Sequence, residues 1–470
     1  MRKISSLQHL INIKKTIFFI IIVSSILSVF FLIMPITKFY SLIKIVPFSY
    51  SVFLFVFMFN KKIIGFGSLS VIILYFFRMV IMPIIVAYGN FYQSADFVYY
   101  SSNFNLACLM MVLESFTVLI SLYIFQLIYF KKINNLKPIN NNIFTGLSFK
   151  NNTFIYIILL ITLTMSIIIL ILFPDLKNYF QLIWENNNQY NLKLSLLKES
   201  IVKLGPIYYI FKKIVEFIRP LIFFFTITFI ITNQNIKHKL FYSLIVVGVS
   251  ISVITVERIH SYFITIICLY NILLNFNYKT IYLKFFSIVM SIFMLIYGLN
   301  KFSSSGNPKS VARAYQIYFG GPVVMAIGLG IDADFPIKYF LNEIYNGSML
   351  LTGLFGQRVT SYDLINSVVN ESAKGTFFSF IVQSKFYFGI LAPLTIIFVV
   401  WIITKTDFLA ETSSNFFYKM VYQYISFSIA TFLIMYSFTM VFNYVLYTIL
   451  FYLFMIFIDK RLDFKLEFRK

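Results

Sequence analysis

A chain of 470 residues that is 60% hydrophobic, 20% aromatic and only 12% charged carries more apolar surface than a soluble fold of that length can hide. Its apolar runs are continuous rather than alternating, which excludes an outer-membrane barrel and leaves a polytopic helical membrane protein. The net charge of +22 is distributed over the ends of those runs, so it reads as topology signal and attraction to anionic lipid, and nucleic acid is not implied as a partner.

In chain order, the start "MRKISSLQHLINIKK" resembles a signal peptide without a small-residue cleavage site, so an uncleaved first span is expected over 16–36. Spans follow at 45–59, 63–88 and 104–130, each near the roughly 20 residues that cross a hydrocarbon core. The Asn/Lys-rich stretch 131–152 leads to a span at 153–173 and then to a long segment over about 174–216, amphipathic in its latter half. Spans at 217–232, 240–256, 261–276 and 285–300 precede a larger segment over about 301–382. Spans at 383–404, 420–437 and 440–458 bring the expectation to about 12 in one all-α membrane domain over 1–470.

Segments on the side of the N-terminus hold most of the lysines and arginines, whereas the short loops opposite hold only Lys38, Lys44 and Arg258. The positive-inside rule then puts both termini in the cytoplasm and both long segments outside. Those segments are rich in aromatics and aliphatics, unlike linkers, and are expected to fold against the outer leaflet. Within the second, 323–331 is apolar but too short to cross, so it is expected to be re-entrant or interfacial. Cys108 and Cys268 fall inside apolar runs, where burial is expected rather than a disulfide.

The eight arginines, against 31 lysines, mark candidate sites. Arginine is the residue for bidentate contact with phosphate or carboxylate, and lysine replaces it poorly. Arg2, Arg461 and Arg469 read as cytoplasmic; Arg78, Arg219, Arg258, Arg313 and Arg358 read as intramembrane or outer. Arg78, in "LYFFRMVIMP", sits inside an expected span, where a charge costs about 3 kcal/mol or more. It either serves a ligand or pairs with Glu114 of the next span. Arg219 precedes Pro220 and is a ligand group or an interfacial anchor. Glu257, Arg258 and His260, in "VERIHSYF", form an outer turn that lacks the usual Gly, Asn, Asp or Pro, or else extend the flanking helices. "SVARAYQIYFGGP" groups Arg313, Tyr315 and Tyr318. "DADFP" spaces Asp332 and Asp334 as a D-x-D pair, a pattern that more often solvates a loop than binds metal. "GQRVTSYD" groups Arg358 with Tyr362 and Asp363, a set suited to sugars.

In span number, enlarged outer loops and outer arginines, the chain resembles the Wzy-type polymerases of bacterial O-antigen and capsular repeat units. "YFFRMVIMP", "ERIHSYF" and "ARAYQIYFGGP" carry the local likeness. The resemblance implies glycosyl transfer between undecaprenyl-diphosphate-linked oligosaccharides on the outer face of the bacterial cell membrane, with a chain-length regulator open as a further partner. Arg78, Arg219, Arg258, Arg313 and Arg358 would hold diphosphate, beside Tyr315 and Tyr318. His260 or Glu257 would accept the acceptor hydroxyl's proton, with Asp332 or Asp334 behind them; histidine suits that role because its ordinary pKa is about 6.5. The first outer loop, around 37–44, has no acidic residue, which favours a site with no metal and no other cofactor. Two alternatives stand: a lipid-linked oligosaccharide flippase, whose cavity would be lined with charges, and an O-antigen ligase-like glycosyltransferase.

Overall fold

A computed structural model describes residues 2–36, 38–59, 65–90, 101–135, 219–231, 238–250, 258–275, 319–331, 337–348, 378–413 and 416–435, with isolated positions at 309–316, 351–363 and 438–450. Among them no residue is in a strand, and nearly all are helical. We number the helices α1 (Arg2–Ile33), α2 (Ile45–Met58), α3 (Phe66–Tyr88), α4 (Phe104–Asn135), α5 (Arg219–Ile231), α6 (Lys239–Ser250) and α7 (Arg258–Asn275). The remainder are α8 (Pro322–Leu329), α9 (Ile337–Gly347), α10 (Phe380–Phe388), α11 (Ala392–Thr412) and α12 (Phe416–Met435).

Among the described residues, five segments are long and apolar enough to cross a membrane: Lys15–Ile33, Phe39–Met58, Phe66–Tyr88, Ser101–Tyr129 and Phe380–Thr412. Four of them correspond to the first four expected spans. The second is a 14-residue α-helix lengthened by the 3-10 turn Lys38–Lys44, which explains why its apolar run looks short. On α1, Phe18, Ile22, Ile26, Val29, Phe30 and Ile33 form an exposed stripe. Such a stripe is what lipid covers, since a bilayer rewards apolar surface that water would penalise. The expected spans 153–173 and 285–300, and the long segment 174–216, lie outside the described residues.

The fifth segment differs from its expectation. A single span was expected at 383–404, but the chain makes a helical hairpin. The hydroxyls of Ser384 on α10 and Thr395 on α11 lie 2.7 Å apart. Eleven residues of continuous helix would separate them by roughly 16 Å. The reversal occurs at Gly389, whose φ of +52° is left-handed and favours glycine. Ile390, at the tip, is 96% exposed. α11 alone, with 21 residues, is about 30 Å long and suffices to span.

The bundle is built around α4, α11 and α12. α11 packs along both of the others, α12 along α3 and α7, and α4 along α2. α8 lies on α4 and the 3-10 turn Ser101–Asn103, and it also touches α10. All eight residues of α8 are buried. The 323–331 stretch is therefore a half-length helix enclosed by the bundle. Of the larger expected segment, 301–382, the described residues 320–329 and 378–382 are buried in the packed core.

α3 contains a π-turn at Phe77–Ile81, closed by the Met82 N–H donating to the Phe77 carbonyl. Its cause is Pro83. In a regular helix the proline ring would collide with the carbonyl of Met79, and the residue inserted by a π-turn opens room for it. The spacing between Arg78 and Pro83 is thus a backbone feature, and it sets where Arg78 points.

Candidate functional site

Arg78 is fully buried and forks onto Glu114 of α4, Nη1 donating to Oε1 at 2.9 Å and Nη2 to Oε2 at 2.7 Å. Tyr75, one turn earlier, donates its hydroxyl to the same Oε1 at 2.9 Å. Of the two sequence readings, the pairing with Glu114 is the one the side chains adopt. Both terminal nitrogens of Arg78 are committed, and Nε finds no acceptor among the described residues. A pair with this geometry neutralises itself inside an apolar core and fastens α3 to α4.

A second buried carboxylate grips the other end of α3. Asp407 of α11 accepts from the N–H of Gly67 (3.0 Å), the N–H of Ser68 (2.7 Å) and the Ser68 hydroxyl (2.7 Å). It caps a neighbouring helix, supplying acceptors to donors that the first turn leaves open, and its charge meets the positive end of the helix dipole. The sequence reading passed over Asp407. The available signal was an acid close to the end of an apolar run, opposite the small-residue start "GFGS". A third, Glu343 of α9, is also buried and accepts from the hydroxyls of Tyr387 (3.2 Å) and Thr439. Its partners come from elements far apart in sequence, so no local pattern announces it.

The remaining predicted residues are dispersed. Arg219 is the first residue of α5, 4% exposed, with its guanidinium carbon 6.0 Å from the Phe223 ring centre. Arg258 and His260 lie in the first turn of α7, which begins at Arg258; they extend the helix and do not form a loop. Arg358 is exposed and stacks over Tyr345 at 4.0 Å. Asn346 pins its backbone, donating to the Arg358 carbonyl at 2.7 Å and accepting from its N–H at 3.0 Å. Ile337 and Leu341, two turns and one turn before Tyr345 on α9, are exposed, as are Phe355 and Val359 beside Arg358 in the chain. Asp363 is exposed and accepts from the N–H and hydroxyl of Thr360, three residues earlier. Glu257, Arg313, Tyr315, Tyr318, Asp332, Asp334 and Tyr362 lie outside the described residues.

Arg78, Arg219 and Arg358 therefore stand on three different elements with three different sets of neighbours. Among the described residues, no three His, Cys, Asp or Glu side chains gather as metal ligands. Cys108 and Cys268 are buried and unlinked.

What the described core does bring together is a set of uncharged polar groups. Gln316 places Oε1 at the start of α8, accepting from the N–H of Val323 (3.0 Å) and Val324 (3.3 Å). Gln383 of α10 donates to the carbonyl of Phe378 (2.8 Å) and accepts from the N–H of Phe438 (3.1 Å). The Gln316 amide closes the start of α8 inside the bundle, where water is not there to do so, and the Gln383 amide ties the chain just before α10 to Phe438. Comparison of the chain with protein-family models, curated proteins and solved structures finds no match.

Proposed function

We propose that this protein polymerises a bacterial surface polysaccharide, joining undecaprenyl-diphosphate-linked oligosaccharide repeat units at the outer face of the cell membrane. Both termini are read as cytoplasmic, from the basic residues on that side. The observation that carries the reading is Arg358. It offers an exposed guanidinium stacked on Tyr345 of α9, a helix that also exposes Ile337 and Leu341 at helical spacing from Tyr345. An arginine held in that setting suits a ligand whose head is anionic and whose tail is lipid.

On this reading the acceptor sugar's hydroxyl attacks the anomeric carbon of the donor. The bond from that carbon to the diphosphate oxygen breaks, and the lipid diphosphate leaves with the electron pair. The proton passes to His260 or Glu257, with Asp332 and Asp334 as the next candidates. Arg219, Arg258, Arg313 and Arg358 are the candidates to stabilise the departing diphosphate, and Tyr315 and Tyr318 are candidate substrate contacts. Arg78 is taken out of that set, because Glu114 occupies both of its terminal nitrogens. The flippase reading draws less support, since Arg78 and Asp407 both spend their charge on protein partners rather than on a path.

A gel of surface glycan from a strain lacking the gene tests the proposal. Collapse of the ladder to a single repeat unit is expected. Loss of even that unit, with lipid-linked oligosaccharide trapped inside, would instead mark a flippase. Full-length polymer stranded on its lipid carrier would mark a ligase.

A further inference from the structure

Two half-length helices begin side by side in the core, α8 at Gly321 and α10 at Ser379. A Cβ built on Gly320 would lie 3.1 Å from the Cβ of Ser379, and one on Gly321 would lie 3.0 Å from Gln316 Oε1 and from Met82 Cγ. Gly320 makes the turn into α8 with φ +54°, and Pro322 opens the helix where a missing N–H costs nothing. Two helix dipoles thus place their positive ends at one spot enclosed by α3, α4 and α10.

Two donors at this spot are unsatisfied. Gln316 is 1% exposed; its Oε1 is used by α8, and its Nε2 finds no acceptor among the described residues. Ser379 is 1% exposed and occupies the N-cap of α10, yet its hydroxyl makes no capping bond and has no other partner among the described residues. They come from different elements and meet across Gly320 and Gly321. Buried donors left without acceptors are costly, and these two flank the positive ends of two helices. Glu114 on α4, the long helix packed against α8, is already paired with Arg78. Two unsatisfied side-chain donors beside two helix N-termini disfavour a cation and suit the oxygens of an anion.

We infer that the junction of α8 and α10 is an anion site, in which Gln316 Nε2 and the Ser379 hydroxyl bind phosphate oxygens of a lipid-linked diphosphate. That the anion is a diphosphate on a lipid rests on the polymerase reading above. The site itself does not, and it adds to the arginines a binding group that carries no charge of its own.

The test uses the purified full-length protein in nanodiscs and three probes: farnesyl diphosphate, farnesol and inorganic diphosphate. Farnesyl diphosphate is expected to bind and farnesol not to bind at the same concentration. Gln316→Glu keeps the oxygen that caps α8 but replaces the donor with an anionic oxygen, and it should weaken farnesyl diphosphate binding at least tenfold. Ser379→Ala should weaken it about three- to tenfold, and this small change carries the test should Gln316→Glu fail to fold. Equal binding by both variants and the parent protein would overturn the site, as would equal binding of farnesol. Inorganic diphosphate binding as tightly as the prenyl form, and equally sensitive to both substitutions, would support the site and overturn its assignment to lipid. A glycan ladder that persists without the gene, while farnesyl diphosphate still binds through Gln316, would sink the polymerase reading and leave the site standing.

Discussion

Arg78 shows how one residue supports two readings until its partner is placed. An arginine inside an apolar run is expensive wherever it goes, and the expense is met either by a ligand or by a carboxylate. Glu114 is 36 positions away, so whether the two meet depends on how α3 packs on α4. Glu114→Gln should cost about 3–5 kcal/mol, because it leaves a buried guanidinium without its counter-charge. Arg78→Met with Glu114→Leu should regain most of that loss, as read from thermal melts in detergent. If the double variant also supports the proposed polymerisation as well as the parent does, the pair serves packing alone. Asp407→Asn is expected to destabilise by about 1–3 kcal/mol, since an amide cannot accept all the bonds that Gly67 and Ser68 now donate; the same melts check it. Asp407, Glu343 and Gln316 escaped notice in the sequence for one reason. Their partners lie in other elements, and polarity alone does not distinguish a capping group from a solvated one.

Among the helices, the ones that read best are those with a long run and a clear end. The first four spans follow from continuous apolar length, and the structure moves their bounds by only a few residues. The hairpin of α10 and α11 reads poorly because both arms are apolar and the break is a single glycine. Gly389→Ala should cost about 1–3 kcal/mol, the penalty for a side chain held at φ +52° and ψ −120°. No atom lies within 4 Å of the added Cβ, so the loss would come from backbone strain alone. Gly389→Asn should cost about as much, because φ +52° with ψ −120° lies outside the left-handed helical region that asparagine tolerates. Matching melts for the two variants check that backbone strain sets the loss. α8 was anticipated as a piece too short to cross, and its complete burial follows from a composition that leaves no polar face for water.

For the assembled bundle, the charge distribution predicts a definite sidedness. A cysteine introduced at Ile390, at the exposed tip of the hairpin, should react with a membrane-impermeant maleimide on intact cells. One at Ser413, just past α11, should react only after the membrane is opened. The native Cys108 and Cys268 are buried, which keeps the background low. The reverse pattern would invert the topology and remove the outer-face chemistry with it.

Composition and run length are summed along the chain, so they were enough to set the helical membrane class, the first four spans and the expected sidedness. The depth at which α8 and α10 begin, the marriage of Arg78 to Glu114 and the capping of α3 by Asp407 were settled by packing. Each is a meeting of groups distant in sequence. Hydrophobic burial is non-directional and only demands that such groups find some partner; which partner they find depends on how the helices cross.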